Sequence, residues 1–281
     1  MRILIALLAA ALALAAAIAP GGSGAGGPQY SPGLAGYDGI VARDEGVRYT
    51  AVWTRNSTQV LAIRTEGGQP LRMRSFPGYL GIPLVAYDGT AGGLSGNGKR
   101  LVVASYAPAP KTRGQTRFAV LDTKSLRVRR LAVLDGSWSF DAIAPDGSTL
   151  YLTQHIRAGT NPLYRVRSYD VRTGLLRGTV VDRIEGAQDM GGEPVTRAAS
   201  ADGRWAYTLY ARAKHGPFIH ALDTTKREAF CIGLQLDVSR DEQLALRLRL
   251  LERSGQLSVR HGRSTLARVD TRSFDVEEEK S

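Results

Sequence analysis

Short apolar segments with a two-residue period recur along most of this chain, and tight turns separate them. The clearest copy, residues 140–152, has an apolar strand, the turn Pro145-Asp146-Gly147 and a second apolar strand. Proline fixes φ early in such a turn, and glycine takes the position with positive φ at no steric cost. The alternation of apolar and polar side chains in the flanks is typical of strands, so this segment is predicted to be a β-hairpin.

Four further copies of this hairpin are predicted, and each is followed by a second hairpin. The turns of the other copies lie at Asp44-Glu45-Gly46, Gly96-Asn97-Gly98, Ala201-Asp202-Gly203 and Arg240-Asp241-Glu242. The fifth copy therefore places strands at residues 236–238 and 244–250. The second hairpins turn after Leu121-Asp122, Tyr169-Asp170 and Leu222-Asp223, with divergent versions at Glu66-Gly67-Gly68 and His261-Gly262-Arg263.

Five units of four strands, each about 40 to 55 residues long, are typical of a β-propeller. A four-stranded blade cannot bury both of its faces alone, so neighbouring blades cover them, and closure of the ring protects the exposed edges. The predicted fold class is therefore all-β, a β-propeller of about five four-stranded blades at residues 37–276, with a charged tail at 277–281. An open arc of blades, or a partner that supplies further blades, is the alternative.

The pairing of an Asp-Gly hairpin with a later Leu-Asp-Thr hairpin resembles the repeats of bacterial secreted β-propellers, both the surface-layer and lactonase-like group and the TolB type. The resemblance rests on Ala144-Pro145-Asp146-Gly147, Ser200-Ala201-Asp202-Gly203 and Leu222-Asp223-Thr224. It covers residues 37–276 and implies a propeller in the cell envelope. Those families usually have six or seven blades, and no catalytic residue of the lactonases can be matched to a position in this chain.

The N-terminus has the pattern of a targeting segment. Arg2 is followed by an unbroken apolar run at residues 3–19 and then by a Gly- and Pro-rich stretch. This order is typical of a secretory signal peptide, although the run is just long enough for an uncleaved anchor. Residues 1–25 are therefore predicted to be a signal peptide or anchor, and residues 26–36 a linker. The bulk of the protein is expected to be secreted or otherwise extracytoplasmic, and residues 3–19 would anchor it to the membrane if the segment is not cleaved.

The net charge of +11 narrows the range of partners. A soluble protein with an Arg-rich surface explains it, and so does attraction to an anionic envelope component or protein. Nucleic acid is not expected, because the arginines are scattered over every repeat instead of forming one stripe. The fifth unit is the most basic, so Arg260 and Arg263 in its outer turn are the predicted ligand-binding residues. Contact with a membrane is expected only through an uncleaved N-terminal segment.

The fifth unit also contains an unusual strand. Leucines alternate there with Ala245, Arg247 and Arg249, so the two arginines share one face. Because blades are covered on both faces, these arginines are hard to bury. The strand is therefore predicted either to lie near the periphery of the ring or to pair its arginines with carboxylates.

Carboxylates near the start of the innermost strands are the candidate catalytic residues. Asp88, Asp141 and Glu193 stand there, together with Asp38 and Asp237. In a propeller these strand ends converge on the central channel, where carboxylates can bind a cation or act as an acid and base pair on a glycoside. The alternative is that they accept hydrogen bonds from backbone N–H groups in loops.

No other set of residues indicates a chemistry, a cofactor or a metal. The four histidines lack metal-ligand spacing, Ser95 lies in a hairpin instead of a nucleophile elbow, and the single Cys231 lies in an apolar run typical of a buried inert thiol. The predicted function is therefore a non-catalytic, extracytoplasmic β-propeller that binds a protein or envelope ligand. A glycosidase- or lactonase-like hydrolase that uses the channel-mouth carboxylates is the alternative.

Overall fold

The computed structural model describes residues 32–36, 38–42, 45–110, 113–159, 161–213 and 215–279. The predicted signal or anchor segment, residues 1–25, lies outside these ranges, and so does Tyr37, the predicted first residue of the domain. Within the described ranges, no helix is both long and apolar enough to cross a bilayer.

Five antiparallel sheets, the blades, follow one another along the chain, and each is built from consecutive strands. Blade one contains β1 (Ile40–Ala42), β2 (Val47–Trp53), β3 (Ser57–Arg64) and β4 (Pro70–Pro77). Blade two contains β5 (Arg100–Ala104), β6 (Gln115–Asp122) and β7 (Val128–Asp135). Blade three contains β8 (Trp138–Ile143), β9 (Thr149–Arg157), β10 (Leu163–Asp170) and β11 (Leu176–Thr179).

The last two blades are both four-stranded. Blade four contains β12 (Glu193–Ala199), β13 (Trp205–Ala211), β14 (Phe218–Asp223) and β15 (Glu228–Gly233). A short helix, α1 (Arg240–Ala245), leads to blade five, which contains β16 (Leu246–Leu251), β17 (Gln256–His261), β18 (Ser264–Asp270) and β19 (Val276–Glu278). The nearly all-β architecture in five sheets confirms the predicted fold class.

Blade two has three regular strands instead of the predicted four. Its first strand was expected at residues 93–95, but the segment at residues 81–94 makes only isolated bridges to β5, at Gly81 and Leu94. The amides of Tyr87 and Asp88 in this segment donate hydrogen bonds to the carbonyls of Pro194 and Val195 in β12, at 2.9 and 3.1 Å. The segment therefore joins blade two to the first strand of blade four.

The turns of the first four hairpins have the predicted conformation. φ is 75° at Gly147 and 73° at Gly203, and it is also positive at Gly46 and Gly98. These values lie in the left-handed region, which glycine reaches without strain. They confirm the turn assignments in blades one to four.

The fifth predicted hairpin is wrong. Its expected turn, Arg240-Asp241-Glu242, lies in α1, where the Ser239 side chain caps the helix and the Glu242 side chain completes a capping box. A Ser-x-x-Glu pattern favours a helix start over a tight turn. The first strand of blade five is β16, and the turn after it contains Gly255, which has positive φ and lies 52 residues after Gly203.

The second hairpins of blades two to five share one turn geometry. In blade five this turn follows Asp270, because the predicted turn His261-Gly262-Arg263 instead joins β17 to β18. An aspartate accepts hydrogen bonds from amides two or three residues later, and the fifth residue of the turn has positive φ. The aspartates are Asp122, Asp170, Asp223 and Asp270, and the fifth residues are Leu126, Gly174, Arg227 and Phe274. Because only one of the four is glycine, the aspartate, and not a glycine, marks this turn in the sequence.

Hydrophobic clusters lie between each pair of consecutive blades, from one and two to four and five. Among the described residues, no such cluster joins blade five to blade one. The strands β13 and β14 of blade four are buried along almost their whole length, whereas β16 alternates buried leucines with exposed arginines. One face of blade five is therefore exposed to solvent, as in the open arc that the sequence leaves as an alternative.

The two ends of the domain differ slightly from the predicted boundaries. Ala35, in the predicted linker, donates a 2.7 Å hydrogen bond from its amide to the carbonyl of Ile82. Glu277 and Glu278, in the predicted tail, belong to β19.

Candidate functional site

Two of the predicted catalytic carboxylates line the same small cavity, and each is paired with an arginine. Asp141 of β8 is buried and forms an ion pair with the equally buried Arg197 of β12. Glu193 at the start of β12 forms a 2.6 Å ion pair with Arg240 of α1. In a glycosidase the two carboxyl groups face the substrate, whereas both carboxylates here face a cation of the protein. The arrangement does not favour an acid and base pair.

The other predicted carboxylates are exposed and lie elsewhere. The Asp88 side chain accepts hydrogen bonds from the amide and the hydroxyl of Thr90, at 2.9 and 2.6 Å, which is the loop role expected as the alternative. Asp38 lies 3.9 Å from Arg48 at the surface, and Asp237 is exposed. Among the residues that the structure describes, no group of three or more His, Cys, Asp or Glu side chains could hold a metal ion.

The cavity that Asp141 and Glu193 share is small, and aromatic rings form part of its lining. Its volume is about 30 Å³, which is room for one or two water molecules. Ser139 Oγ lies 2.9 Å from His155 Nε2 in its wall, the spacing of a nucleophile and its base. Burial lowers the pKa of His155 to about 4, so the imidazole is a weak base. This pair is therefore poorly suited to activate a serine. The other polar or aromatic lining residues are Tyr87, Thr153, Phe140, Tyr164 and Tyr210.

The remaining single candidates have structural surroundings. Ser95 Oγ donates a 2.9 Å hydrogen bond to Asn97 Oδ1 within its turn. Burial raises the pKa of the Cys231 thiol to about 12, which keeps it in its unreactive form. Burial also lowers the pKa of His220, which is 1% exposed.

Blade five carries a cluster of arginines on its exposed face, which we call the basic face. Cross-strand pairing places Arg247 beside Arg260, and it places Arg249 and Arg268 on either side of Ser258. Arg247 and Arg249 are exposed, whereas Ser258 is only 4% exposed between its arginine neighbours. Like charges on adjacent strands repel each other, so this face attracts anions. The members of the basic face are Arg247, Arg249, Arg260 and Arg268.

The basic face corrects the interpretation of the arginine strand. β16 lies beside β12 of the neighbouring blade, so it is not a peripheral strand. The Arg247 side chain donates to the carbonyls of Leu244 and Leu246 and not to a carboxylate. Both arginines of β16 are accommodated because the blade is covered on one face only.

The two predicted ligand-binding residues lie at one end of the basic face. Arg260 is in β17, and Arg263 is exposed in the turn that follows. Arg260 Nη2 donates a 2.7 Å hydrogen bond to the carbonyl of Arg263, and Arg260 Nε is buried without a protein partner. Arg268 forms an ion pair with Glu279. Arg263 is thus the more accessible of the two predicted residues.

A larger groove, which we call the interblade groove, lies between blades four and five. Its volume is about 650 Å³, well within the range of ligand-binding sites. Three aromatic rings form its floor: the Phe274 centroid lies 5.8 Å from that of Trp205 and 4.8 Å from that of Phe230. The other lining residues are Arg183, Ile184, Arg204, Asp223, Lys226, Glu228, Thr271, Arg272 and Ser273.

The carboxylates of the interblade groove are paired with arginines. Arg204 donates two hydrogen bonds to Asp223 Oδ2, at 3.0 and 2.7 Å, and stacks on the ring of Trp205 at 5.4 Å. Burial alone would raise the pKa of Asp223, but hydrogen bonds from Arg204 and from the turn outweigh it and hold the pKa at about 2. Glu228 lies 3.7 Å from Arg183.

Sequence reasoning does not identify the interblade groove. Its walls come from three separated segments, at residues 183–184, 204–230 and 271–274, and only packing of blade five on blade four brings them together. The available signal is the position of Trp205 and Phe274, two large aromatic residues that each lie at or next to a turn of a repeat.

No family model matches this chain, and no curated protein does. Two TolB structures are among the similar folds. TolB from Acinetobacter baumannii is 14% identical, and the match covers 88% of this chain and 62% of the TolB chain, with a TM-score of 0.34. TolB from Agrobacterium tumefaciens is 14% identical, covers 89% of this chain and 80% of its own, and has a TM-score of 0.38. The surface-layer and lactonase-like part of the resemblance stays a prediction.

Other solved structures are similar over most of the chain. Hydrazine synthase from Kuenenia stuttgartiensis is 12% identical over 85% of this chain, with a TM-score of 0.48, and the chain spans 64% of its length. The β-propeller domain of Cps50 (Swd1) from Myceliophteria thermophila is 11% identical over 88% of this chain and 72% of its own, with a TM-score of 0.50. At such identities the likeness concerns the fold alone. Five consecutive antiparallel sheets, together with this likeness to a β-propeller domain, identify the chain as a five-bladed β-propeller.

Proposed function

We propose that this protein is a non-catalytic, extracytoplasmic β-propeller that binds an anionic polymer of the cell envelope through the basic face of blade five. The observation that carries the proposal is the basic face itself, with four arginines on an uncovered sheet. A blade face that packs on a neighbour is apolar, as the leucine side of β16 is. The arginine side is instead suited to a charged partner.

The surroundings of the arginines support a polymer over a lipid surface. The side chains between them on the sheet, Ser258 and Thr265, are polar and offer nothing to insert into a bilayer. Residues two apart on a strand lie about 7 Å apart, and adjacent strands about 5 Å apart. A linear polyanion with closely spaced carboxylates or phosphates fits such rows. The N-terminal sequence, with Arg2 before the apolar run at residues 3–19, supports a location outside the cytoplasm.

A binding role is favoured over hydrolysis by the state of the predicted catalytic residues. Asp141 and Glu193 are each paired with an arginine, and Asp88 lies outside their cavity. A hydrolase would need at least two carboxyl groups that face a substrate.

The test measures retention of the protein on polyglutamate-coated and polyphosphate-coated beads over a series of salt concentrations. We expect the Arg247→Ser/Arg249→Ser variant to elute at lower salt and to lose part of its salt dependence, because two contacts with the anion disappear. The Arg260→Ser/Arg263→Ser variant tests the two residues predicted from the sequence.

The matched control is Arg55→Ser/Arg64→Ser in blade one, which removes the same charge from exposed positions. If the control elutes as early as the blade-five variants, only net charge matters and the proposed site is wrong. Stronger retention on vesicles rich in phosphatidylglycerol than on either polymer would likewise overturn the choice of a polymer.

A further inference from the structure

The interblade groove is a second candidate binding site, and it lies on the other side of blade five from the basic face. Trp205, Phe230 and Phe274 belong to or pack on the hydrophobic cluster between blades four and five. The basic face carries the opposite side chains of β16 and β17. A ligand of one site therefore does not depend on the other site.

The floor of the groove offers an anchor point for an apolar side chain. Trp205, Phe230 and Phe274 are only half-buried, and their rings lie within 6.2 Å of each other. Ile184 at the edge of the groove is 55% exposed. Half-buried aromatic rings in a concave surface are typical of the positions that contribute most to binding.

The charges of the groove select for an acidic ligand. Arg204 and Arg183 are paired with Asp223 and Glu228 within the groove. The exposed Lys226 and Arg272 add two further positive charges, one from the turn of each blade. The lining therefore has an excess of positive charge around an apolar floor.

The hydrogen-bonding capacity of the groove distinguishes between acidic ligands. Asp223 Oδ1 accepts from the amides of Thr225 and Lys226, and Oδ2 accepts from Arg204. A saccharide needs acceptors for its hydroxyl groups, but the carboxylates of the groove are already engaged. A peptide carboxylate needs only donors, which Lys226 and Arg272 supply.

We propose that the interblade groove binds an acidic peptide segment in which one bulky apolar side chain inserts between Trp205, Phe230 and Phe274 and flanking carboxylates meet Lys226 and Arg272. The segment is held as an extended chain along the open groove. The partner is thus a protein with an exposed acidic stretch that contains an aromatic or large aliphatic residue. This site adds a protein-binding function to the polymer-binding face proposed above.

The experiment uses an acetylated, amidated pentapeptide with a central phenylalanine and two glutamates on each side. Binding is measured by the change in tryptophan fluorescence, since Trp205 lies in the groove, and by calorimetry. We expect the peptide to bind the protein at least about tenfold more tightly than two analogues. One analogue has glutamines in place of the glutamates, and the other has alanine in place of the phenylalanine.

Variants then locate the site. The variant Lys226→Glu/Arg272→Glu changes two exposed positions. We expect its affinity for the acidic peptide to be at least about tenfold lower than that of the wild type, and its affinity for the glutamine analogue to be unchanged. Arg64→Glu/Arg55→Glu in blade one is the control for net charge, and Arg247→Glu/Arg249→Glu is the control for the basic face. Near-wild-type peptide affinity is expected in both.

Three outcomes would overturn the proposal. The first is no measurable binding of the acidic peptide, and the second is equal binding of its glutamine analogue. The third is an equal loss of affinity in the blade-one or basic-face controls. Because the polymer is tested with the basic-face variants and the peptide with the groove variants, failure of either proposal can be told apart from failure of the other.

Discussion

Replacement of Asp223 by asparagine tests how the second hairpin of blade four is stabilised. The carboxylate is 1% exposed and accepts hydrogen bonds from two turn amides, from the Thr225 hydroxyl and twice from Arg204. Asparagine keeps the size of the side chain but removes the charge. The asparagine side chain has one acceptor oxygen instead of two, and its NH₂ group would meet other donors. Either Arg204 or the turn amides would therefore lose their hydrogen-bond acceptor.

The pKa of Asp223 sets the magnitude. It is about 2 in the folded protein, against the ordinary value of 3.8. Each unit of difference corresponds to about 1.4 kcal/mol, and the partial exposure of Arg204 reduces the effect, so we expect a loss of about 2 kcal/mol in the free energy of unfolding at pH 7. Because the folded pKa is the lower one, this stabilisation is complete above about pH 4 and disappears as the pH falls through 2.

The assay is urea denaturation of the wild type and of Asp223→Asn at pH 7 and at steps from pH 5 to pH 2. Asp270→Asn is the matched control, because Asp270 caps the same turn in blade five through the amides of Arg272 and Ser273 but has no bidentate arginine. We expect the control to cost less than Asp223→Asn, because it breaks no ion pair. The assigned role of the Arg204 pair would be refuted if the two variants lost equal free energies of unfolding. It would also be refuted if Asp223→Asn lost as much stability as the wild type when the pH falls from 5 to 2.

Three further predictions concern single positions. Gly147→Val should lower the free energy of unfolding by about 1 to 3 kcal/mol, because φ there is 75° and a Cβ would lie 2.3 Å from the Arg100 side chain; Gly178→Ala, in open space, is the control, and an unchanged Tm would contradict the turn. His155 has a pKa of about 4 in the folded protein, below its ordinary 6.5, so the unfolded chain binds more protons as the pH falls. Between pH 6.5 and pH 4 the free energy of unfolding should therefore fall by about 2 kcal/mol more in the wild type than in His155→Gln, and parallel profiles of stability against pH would contradict this. Cys231, with its pKa raised to about 12, should react with iodoacetamide at pH 8 at least about tenfold more slowly in the folded protein than in urea, and equal rates would show an accessible thiolate.

Most of the fold follows from local signals in the sequence. The turns at Gly147 and Gly203 could be predicted because glycine with positive φ and a preceding aspartate are both local requirements of the hairpin. The prediction for the fifth unit was wrong because Arg240-Asp241-Glu242 resembles a polar turn. Ser239 and Glu242 instead form a capping box that starts a helix. Choosing between the two requires knowledge of where the preceding blade ends, which is not a local property.

The candidate sites could be predicted only where they depend on one strand. The spacing of the arginines of β16 places them on one face of the strand. Their exposure to solvent could not be predicted, because it depends on whether another blade covers that face. The pairing of Asp141 with Arg197 joins blades three and four across 56 residues, and no periodicity in the sequence encodes such a contact. The same applies to Trp205 and Phe274, which meet only when blade five packs on blade four.

The uncovered side of blade five has a consequence for how the protein opens. Stacked repeats are stabilised by their own strands and by the interfaces with their neighbours, and a unit at the end of the stack has only one such interface. Blade five is held by the cluster that it shares with blade four, so it should detach at a lower free energy than blades two to four. Amide hydrogens in β17 and β18 would then exchange before those in β13 and β14, although each of the four strands pairs with a strand on both sides. Partial unfolding that begins there would separate Phe274 from Trp205 and Phe230 while the first four blades stay folded.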